Sequence, residues 1–361
     1  MKHLARQSLL SIKPYQPGKP IEEVKRELGL KDVIKLASNE NPYPPAPGVV
    51  KAIEKELSQL NRYPDGNCFY LRQALAKKLR VKPEQLIFGN GSDELIVLTV
   101  RAFVKPGEEV ILAKPSFLIY ELASTIEEAV IRSAPLKNFA YDLEVMKRMV
   151  TLNTRIVFLG NPDNPSGQYF TRKQLISFLD GLSKDVLVFI DEAYYEYVDE
   201  KDYVNSIQLM KTYPNVIVTR TFSKMFGLAG LRIGYGIASA EMIDILNRIR
   251  EPFNVNSLAQ AAALACLKNL SYYKNIGKTV KQKRRYLYQN LERLGLSYVE
   301  SYTNFVLFKT KEESQTVVRA LLKKGVIVRD MTPWGLNEYV RVSIGTEEEN
   351  KRFIKTLEGI L

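Results

Sequence analysis

The stretch Val186-Leu187-Val188-Phe189-Ile190-Asp191-Glu192-Ala193-Tyr194 decides the fold. Its apolar residues run without a break and end on two carboxylates. Polar and apolar residues do not alternate, so both faces of this strand are buried, as in a parallel sheet covered on each side. Val216-Ile217-Val218-Thr219-Arg220-Thr221-Phe222-Ser223-Lys224 repeats the plan and ends at a lysine. Working outward, further short strands are predicted at Gln85–Gly89, Glu109–Ala113, Ala129–Ser133, Arg155–Gly160 and Arg232–Ala238. Helical periodicity separates them over Ser92–Phe103, Thr171–Leu182 and Ala240–Arg250. That alternation predicts an α/β domain with a mostly parallel central sheet flanked by helices.

After Glu251-Pro252 the pattern changes. Helices predominate from Ser257 to Leu294. A strand–helix–strand–helix tail follows: Tyr298–Lys309, Glu312–Lys324, Val326–Arg329 with Tyr339–Ile344, and Glu347–Leu361. This predicts a smaller α+β C-terminal domain. The region before Glu40 is rich in proline and charge and reads as an arm wrapped over another surface. The expected division is an arm over 1–37, a large domain over 38–254 and a small domain over 255–361.

Composition narrows the chemistry. The 361 residues include one histidine, His3, in the N-terminal arm. A Ser-His-Asp triad, a poly-His metal site and a core histidine base are thereby excluded, leaving Lys, Tyr, Asp, Glu or a cofactor for acid–base work. Cys68 and Cys266 stand alone and fit neither a disulfide framework nor a zinc ribbon; they suit a reducing cytosol, so a cytoplasmic location is expected. No apolar run approaches the roughly 18 residues of a membrane span. Lys2, Arg6, Lys13 and Lys19, with no acid among the first twenty residues, faintly resemble a transit peptide. An ordinary arm is the better reading, because Leu9, Leu10 and Ile12 are too short an apolar core for a secretory signal.

The net charge is +12. Much of it lies between Lys268 and Arg293, where Lys268, Lys274, Lys278, Lys281, Lys283, Arg284, Arg285 and Arg293 face a single acid, Glu292. With Tyr272, Tyr273, Tyr286 and Tyr288 interleaved, the segment offers a nucleic-acid face. The preferred reading is one solvated face of a long helix whose Leu287, Leu291 and Leu294 pack inward, since no nucleic-acid-binding signature accompanies it.

Four polar clusters fall at strand ends, where ligands of α/β sheets sit. Gly89-Asn90-Gly91-Ser92-Asp93-Glu94 opens a helix, with glycines for close backbone approach and Ser92 or Asp93 as a cap, and its free N–H groups suit a phosphate. Asn161-Pro162-Asp163-Asn164-Pro165-Ser166-Gly167 holds more Asn and Pro than a turn needs. Asp191, closing a buried run, requires a cationic partner, and Tyr194 lies three residues on. Lys224 follows a buried strand in a loop of small residues, where desolvation lowers a lysine pKa and suits it to Schiff-base or proton-transfer work. Arg232, eight residues later, is placed to meet a phosphate. A lysine for an aldehyde, an acid for a ring nitrogen, donors for a ring oxygen and a cation for a phosphate together fit pyridoxal 5'-phosphate chemistry. No histidine and no metal is needed.

In order, Asn39-Glu40-Asn41-Pro42, Arg62-Tyr63-Pro64, Gly89-Asn90-Gly91-Ser92-Asp93-Glu94, Asn161 to Gly167, Asp191-Glu192-Ala193-Tyr194 and Ser223-Lys224 to Arg232 resemble the fold-type I aminotransferases. The opening Lys13-Pro14-Tyr15-Gln16-Pro17-Gly18-Lys19-Pro20 and the ending Val328-Arg329-Asp330 … Arg341 are similar to the histidinol-phosphate aminotransferase branch, and the likeness spans nearly the whole chain. The resemblance implies roles. Lys224 would bond the cofactor and shuttle a proton. Asp191 would hold the ring nitrogen protonated, and Tyr194 and Asn164 would bond the ring oxygen. Phe117 would stack on the ring. Ser92, Asp93, Ser223 and Arg232 would surround the cofactor phosphate, with the Gly91 and Ser92 N–H groups helping and Asp93, an anion, acting as a cap rather than a phosphate ligand. Tyr63 would reach that phosphate from the other subunit of a homodimer. Tyr43, Arg329 and Arg341 would hold the substrate anion. Asp163 and Ser166 depart conservatively from the family's commoner Asn and Thr.

The implied reaction is ping-pong transfer of an amino group between L-histidinol phosphate and 2-oxoglutarate, in histidine biosynthesis. The nearest rival is an aromatic amino acid aminotransferase for Phe or Tyr on the same scaffold. A remoter one is a pyridoxal-phosphate decarboxylase of a phosphorylated amino acid. Small-molecule substrates, and neither nucleic acid nor membrane, are the expected partners.

Overall fold

The computed structural model describes all residues except 1, 11, 13 and 15–17, so Lys13, Tyr15, Gln16 and Pro17 of the opening motif lie outside the described residues. A two-residue strand β1 (Ile34–Lys35) comes first. A seven-stranded sheet follows: β2 (Leu86–Gly89), β3 (Glu109–Lys114), β4 (Val130–Pro135), β5 (Thr154–Gly160), β6 (Leu187–Asp191), β7 (Val216–Thr221) and β8 (Gly234–Ile237). Its order is β2-β8-β7-β6-β5-β3-β4, and β8 alone runs against its neighbours. The predicted mostly parallel sheet is therefore present. Its central strands are buried on both faces, which explains their unbroken apolar runs.

The pleat divides these strands between two cores. Ile156, Phe158, Leu187 and Phe189 pack on one side with the helices Ser92–Phe103 and Ala240–Asn247. Val157, Leu159, Val188 and Ile190 pack on the other with Phe69–Leu79 and Arg172–Asp180. The second helix begins with a capping box between Thr171 and Gln174, a start signal readable in sequence.

A second sheet contains β9 (Tyr298–Val299), β10 (Phe305–Lys309), β12 (Arg329–Asp330) and β13 (Tyr339–Ser343) in the antiparallel order β12-β13-β10-β9. The remaining strand, β11 (Val326–Ile327), pairs in parallel with β1, so the chain's beginning is stitched to its C-terminal part.

Three expectations need correction. The single strand over Tyr298–Lys309 is two strands, because residues 300–304 turn to bond other segments: Tyr302 N donates to Gly167 O and Asn304 Nδ2 to Asn39 O. Val326–Arg329 is split between two sheets. Arg232 does not open a strand. Its φ of 55° puts it in the left-handed region, and β8 starts at Gly234. A Cβ on Gly234 would lie 2.5 Å from Ser92 N, so the two segments meet there backbone to backbone.

The basic segment is the end of the helix Ser257–Lys268 and the whole of the helix Leu270–Arg293. Leu287 and Leu291 are fully buried and Leu294 is half-buried. Its cations are not simply solvated. Lys281 pairs with Asp199 at 2.8 Å, Lys283 with Glu347 at 2.6 Å and Arg293 with Glu358 at 2.6 Å. Arg284 is buried and its Nη1 donates to Thr303 O at 2.8 Å. Among the described residues no helix is long and apolar enough to cross a membrane, and no group of three or more His, Cys, Asp or Glu is placed to hold a metal.

Candidate active site

Strands β5, β6 and β7 end side by side, and a cleft of about 300 Å³ opens beyond them. Ser92, Asp93, Phe117, Asn164, Asp191, Tyr194, Ser223, Lys224 and Arg232 line it together, having been scattered over about 140 residues of sequence. Gly91 joins them from behind: its φ is +83°, and an added Cβ would collide with Arg232 Nη2.

Lys224 Nζ donates to Ser38 O at 3.3 Å and lies 5.9 Å from the Tyr194 ring centre. Burial, and then the neighbouring Arg341 guanidinium, lower its amine to about 8. Asp191 is buried at the end of β6, and burial pushes its carboxyl up to about 6. Hydrogen bonds work against that rise: Tyr120 OH donates to Oδ2 at 2.9 Å and Ala193 N to Oδ1 at 3.0 Å. Next in sequence, Glu192 points to the opposite side and meets the buried Arg220 at 2.7 Å. Alternation along one strand thus separates the carboxylate of the cleft from a carboxylate of the core.

The helix Ser92–Phe103 starts at Gly91 with no side-chain cap. This corrects the expectation that Ser92 or Asp93 caps it. Asp93 instead pairs with Arg232 Nη2 at 3.2 Å, which leaves the helix's first N–H groups to the cleft. Together with Arg232 and Ser223 they form a donor set suited to a phosphate.

Asn164 Oδ1 accepts from Arg341 Nη1. Its turn is held by Asp163, which is buried and accepts from Ser166 N at 3.0 Å, Ser166 Oγ at 2.8 Å and Tyr141 OH at 3.2 Å. The two departures from the family pattern therefore bond each other. Burial pushes the Asp163 carboxyl up to about 6.

Arg341 and Arg329 are directly opposite on β13 and β12, so their side chains share one face. Both guanidinium groups lie over Trp334, at 5.1 Å for Arg329 and 5.7 Å for Arg341, and Arg341 also lies 5.1 Å from the Phe305 ring.

Four expected site residues do not line the cleft. Arg341 is buried behind its wall and meets it through Asn164. Tyr63 is 83% exposed and stacks on Phe253 at 4.7 Å. Arg329 borders a separate cavity beside Gly18 and Lys19. Tyr43 is half-buried, and its backbone N–H is tied to Asn41 Oδ1 at 3.0 Å.

Sequence reasoning missed Asn39, Asn41, Tyr120 and Trp334. Asn39 Nδ2 donates to Tyr194 OH at 2.9 Å, and Asn41 Nδ2 donates to Met225 O at 2.8 Å, beside Lys224. Both lie in the Asn39-Glu40-Asn41-Pro42 motif, so a signal was present. Nothing local marks Tyr120 or Trp334.

A family model described as aminotransferase class I and II matches residues 31–357. The histidinol-phosphate aminotransferase of Moorella thermoacetica is 48% identical over 357 residues, spanning 99% of this chain and 92% of that protein. Histidinol-phosphate aminotransferase 2 of Carboxydothermus hydrogenoformans is 44% identical, spanning 99% of each. The crystal structure of histidinol-phosphate aminotransferase from Sinorhizobium meliloti, in complex with pyridoxal-5'-phosphate, superposes with a TM-score of 0.91 at 27% identity and covers 99% of this chain and 98% of that one. A half-buried lysine, a buried acid and an anion cradle at the ends of a mostly parallel sheet are thus joined by a match along almost the full sequence, and the chain belongs to the class I and II aminotransferases.

Proposed function

We propose that the protein is a pyridoxal 5'-phosphate-dependent aminotransferase that moves an amino group between L-histidinol phosphate and 2-oxoglutarate. One observation carries the reaction class: a lysine amine lowered to about 8 shares a cleft with Asp191 and Arg232. The substrate follows from the full-length relatives, which are histidinol-phosphate aminotransferases.

When bound, pyridoxal phosphate supplies an aldehyde and an electron-withdrawing ring. The residues fit it. Lys224 would be the amine for the aldehyde, and its Nζ would carry a proton from the substrate carbon that bears the amino group to the cofactor carbon that receives the nitrogen. Asp191 accepts the ring N–H. Asn164 uses its oxygen on Arg341, so its Nδ2 is left to donate to the ring oxygen. Tyr194 accepts from Asn39, so its own proton is likewise free for that oxygen. Phe117 forms the wall against the ring. The Gly91 and Ser92 backbone, Ser223 and Arg232 hold the phosphate, and Asp93 orients Arg232.

Arg341, with Arg329 beside it, binds the substrate anion; a guanidinium takes phosphate and carboxylate alike, so one site serves both half-reactions. Tyr63 is exposed and outside its own cleft, which supports its reaching the cleft of a second subunit in a homodimer. The two sheets support division into an arm (1–37), a large domain (38–254) and a small domain (255–361). A cytoplasmic location accords with the two free, buried cysteines.

The purified protein is expected to be yellow, and Lys224→Ala to abolish both the visible band and turnover. A colourless wild type that takes up no pyridoxal phosphate would falsify the proposal. Side-by-side assays decide the substrate. A higher kcat/KM for phenylalanine than for histidinol phosphate makes it an aromatic aminotransferase, and release of carbon dioxide makes it a decarboxylase.

A further inference from the structure

Asp191 is the acid on which the reading above rests, and its environment contains a residue without an assigned role. Tyr120 lies in the helix Leu118–Ile126 and is 2% exposed. Its hydroxyl donates to Asp191 Oδ2 at 2.9 Å. The ring has little freedom. It stacks on Phe158 at 4.9 Å and 10°, meets Phe117 edge-on at 5.6 Å and touches Phe189 at 6.5 Å. The backbone is pinned as well, since Tyr120 N donates to Phe117 O and Ser124 Oγ donates to Tyr120 O.

With Ala193 N on Oδ1, each oxygen of Asp191 receives one fixed donor, which sets the rotation of the carboxylate. The phenol is a permanent donor: burial and the nearby carboxylates of Asp191 and Asp163 hold its pKa well above 10. The other groups acting on Asp191 are the Asp93 and Glu192 carboxylates and the hydroxyls of Tyr141 and Tyr194. A donor to a carboxylate makes it less basic.

We propose that Tyr120 is a positioning residue that acts through Asp191, orienting its carboxylate and drawing charge from it so that their shared proton stays on the cofactor's ring nitrogen. This rests on the assignment of Asp191 to that nitrogen. A carboxylate without the phenol pulls harder on the proton, leaves less positive charge on the ring, and so raises the pH at which the visible colour changes.

The experiment titrates the visible band of the wild-type holoenzyme, Tyr120→Phe, Asp191→Asn and the double variant, and measures kcat and KM for each. Tyr120→Phe is expected to raise the midpoint by about half a pH unit. It should lower kcat about tenfold, as for one charged hydrogen bond, with KM nearly unchanged. Both effects should vanish when the Asp191→Asn substitution is already present. Replacing Tyr120 with 3-fluorotyrosine, a stronger donor of nearly the same size, should move the midpoint down; this variant keeps the test open if the Phe variant folds poorly. An unmoved midpoint in both Tyr120 variants overturns the proposal. So does an equal shift in the Asp191→Asn background, which would assign the effect to packing. If Asp191→Asn itself leaves the midpoint unmoved, the assignment of Asp191 falls and this proposal with it.

Discussion

A single amine shows what the fold does to a side chain. Lys224 is an ordinary lysine in sequence, marked only by the strand before it and the small residues after it. The structure surrounds it with Tyr194 and Arg341 and lowers it from the usual 10.5 to about 8. Because the neutral amine is the reacting form, the sign is clear: cofactor uptake by the apoenzyme should speed up as pH rises and level off above about 8. Stopped-flow absorbance at pH 6–10 measures this, and a rate still climbing steeply at pH 10 would contradict the shift. Lys224, Asp191, Asn164 and Tyr194 could be placed at one cleft from sequence because each lies at or just after the end of an apolar run, whereas Arg232 reaches it from a left-handed turn before β8. Tyr120 could not, because its partner is 71 residues away and an aromatic in a helix looks like core.

At the scale of elements, continuous apolar runs identified the strands of the large sheet, and their ends were recovered to within about two residues. The helix Ser92–Phe103 has the expected bounds. The short strands of the C-terminal part were harder, because β11 and β12 differ only in which distant strand each pairs with. A local pattern carries no information about that choice. The helix Leu270–Arg293 illustrates the same limit, since its arginines and lysines look alike in sequence. Arg284 is buried on Thr303 O, so Arg284→Ala should cost about 2 kcal/mol by orphaning a buried carbonyl. Lys281 forms a surface pair, and Lys281→Ala should change stability by less than about 0.5 kcal/mol. Denaturant unfolding of both variants tests the contrast, and equal effects would refute it.

At the scale of the whole molecule, the proposed dimer makes each site depend on two chains. Mixing Lys224→Ala subunits with Tyr63→Ala subunits then has a countable outcome. A hybrid dimer holds one site with both defects and one with neither, so random exchange should restore about a quarter of wild-type activity. No recovery above the two parents would place Tyr63 outside the partner's site. The described chain also closes on itself. Strand β1 pairs with β11, Asn39 N donates to Ser343 Oγ across 304 residues, and Asn304 holds the Asn39 carbonyl. On the ribosome, the Ile34–Asn41 segment is made more than 250 residues before any of these partners. The segment that steadies Tyr194 and the lysine loop must therefore wait for those partners to be made. A nascent chain has Lys224 well before it has Asn304 and Ser343, so the lysine precedes the residues that fix Asn39 beside the cleft.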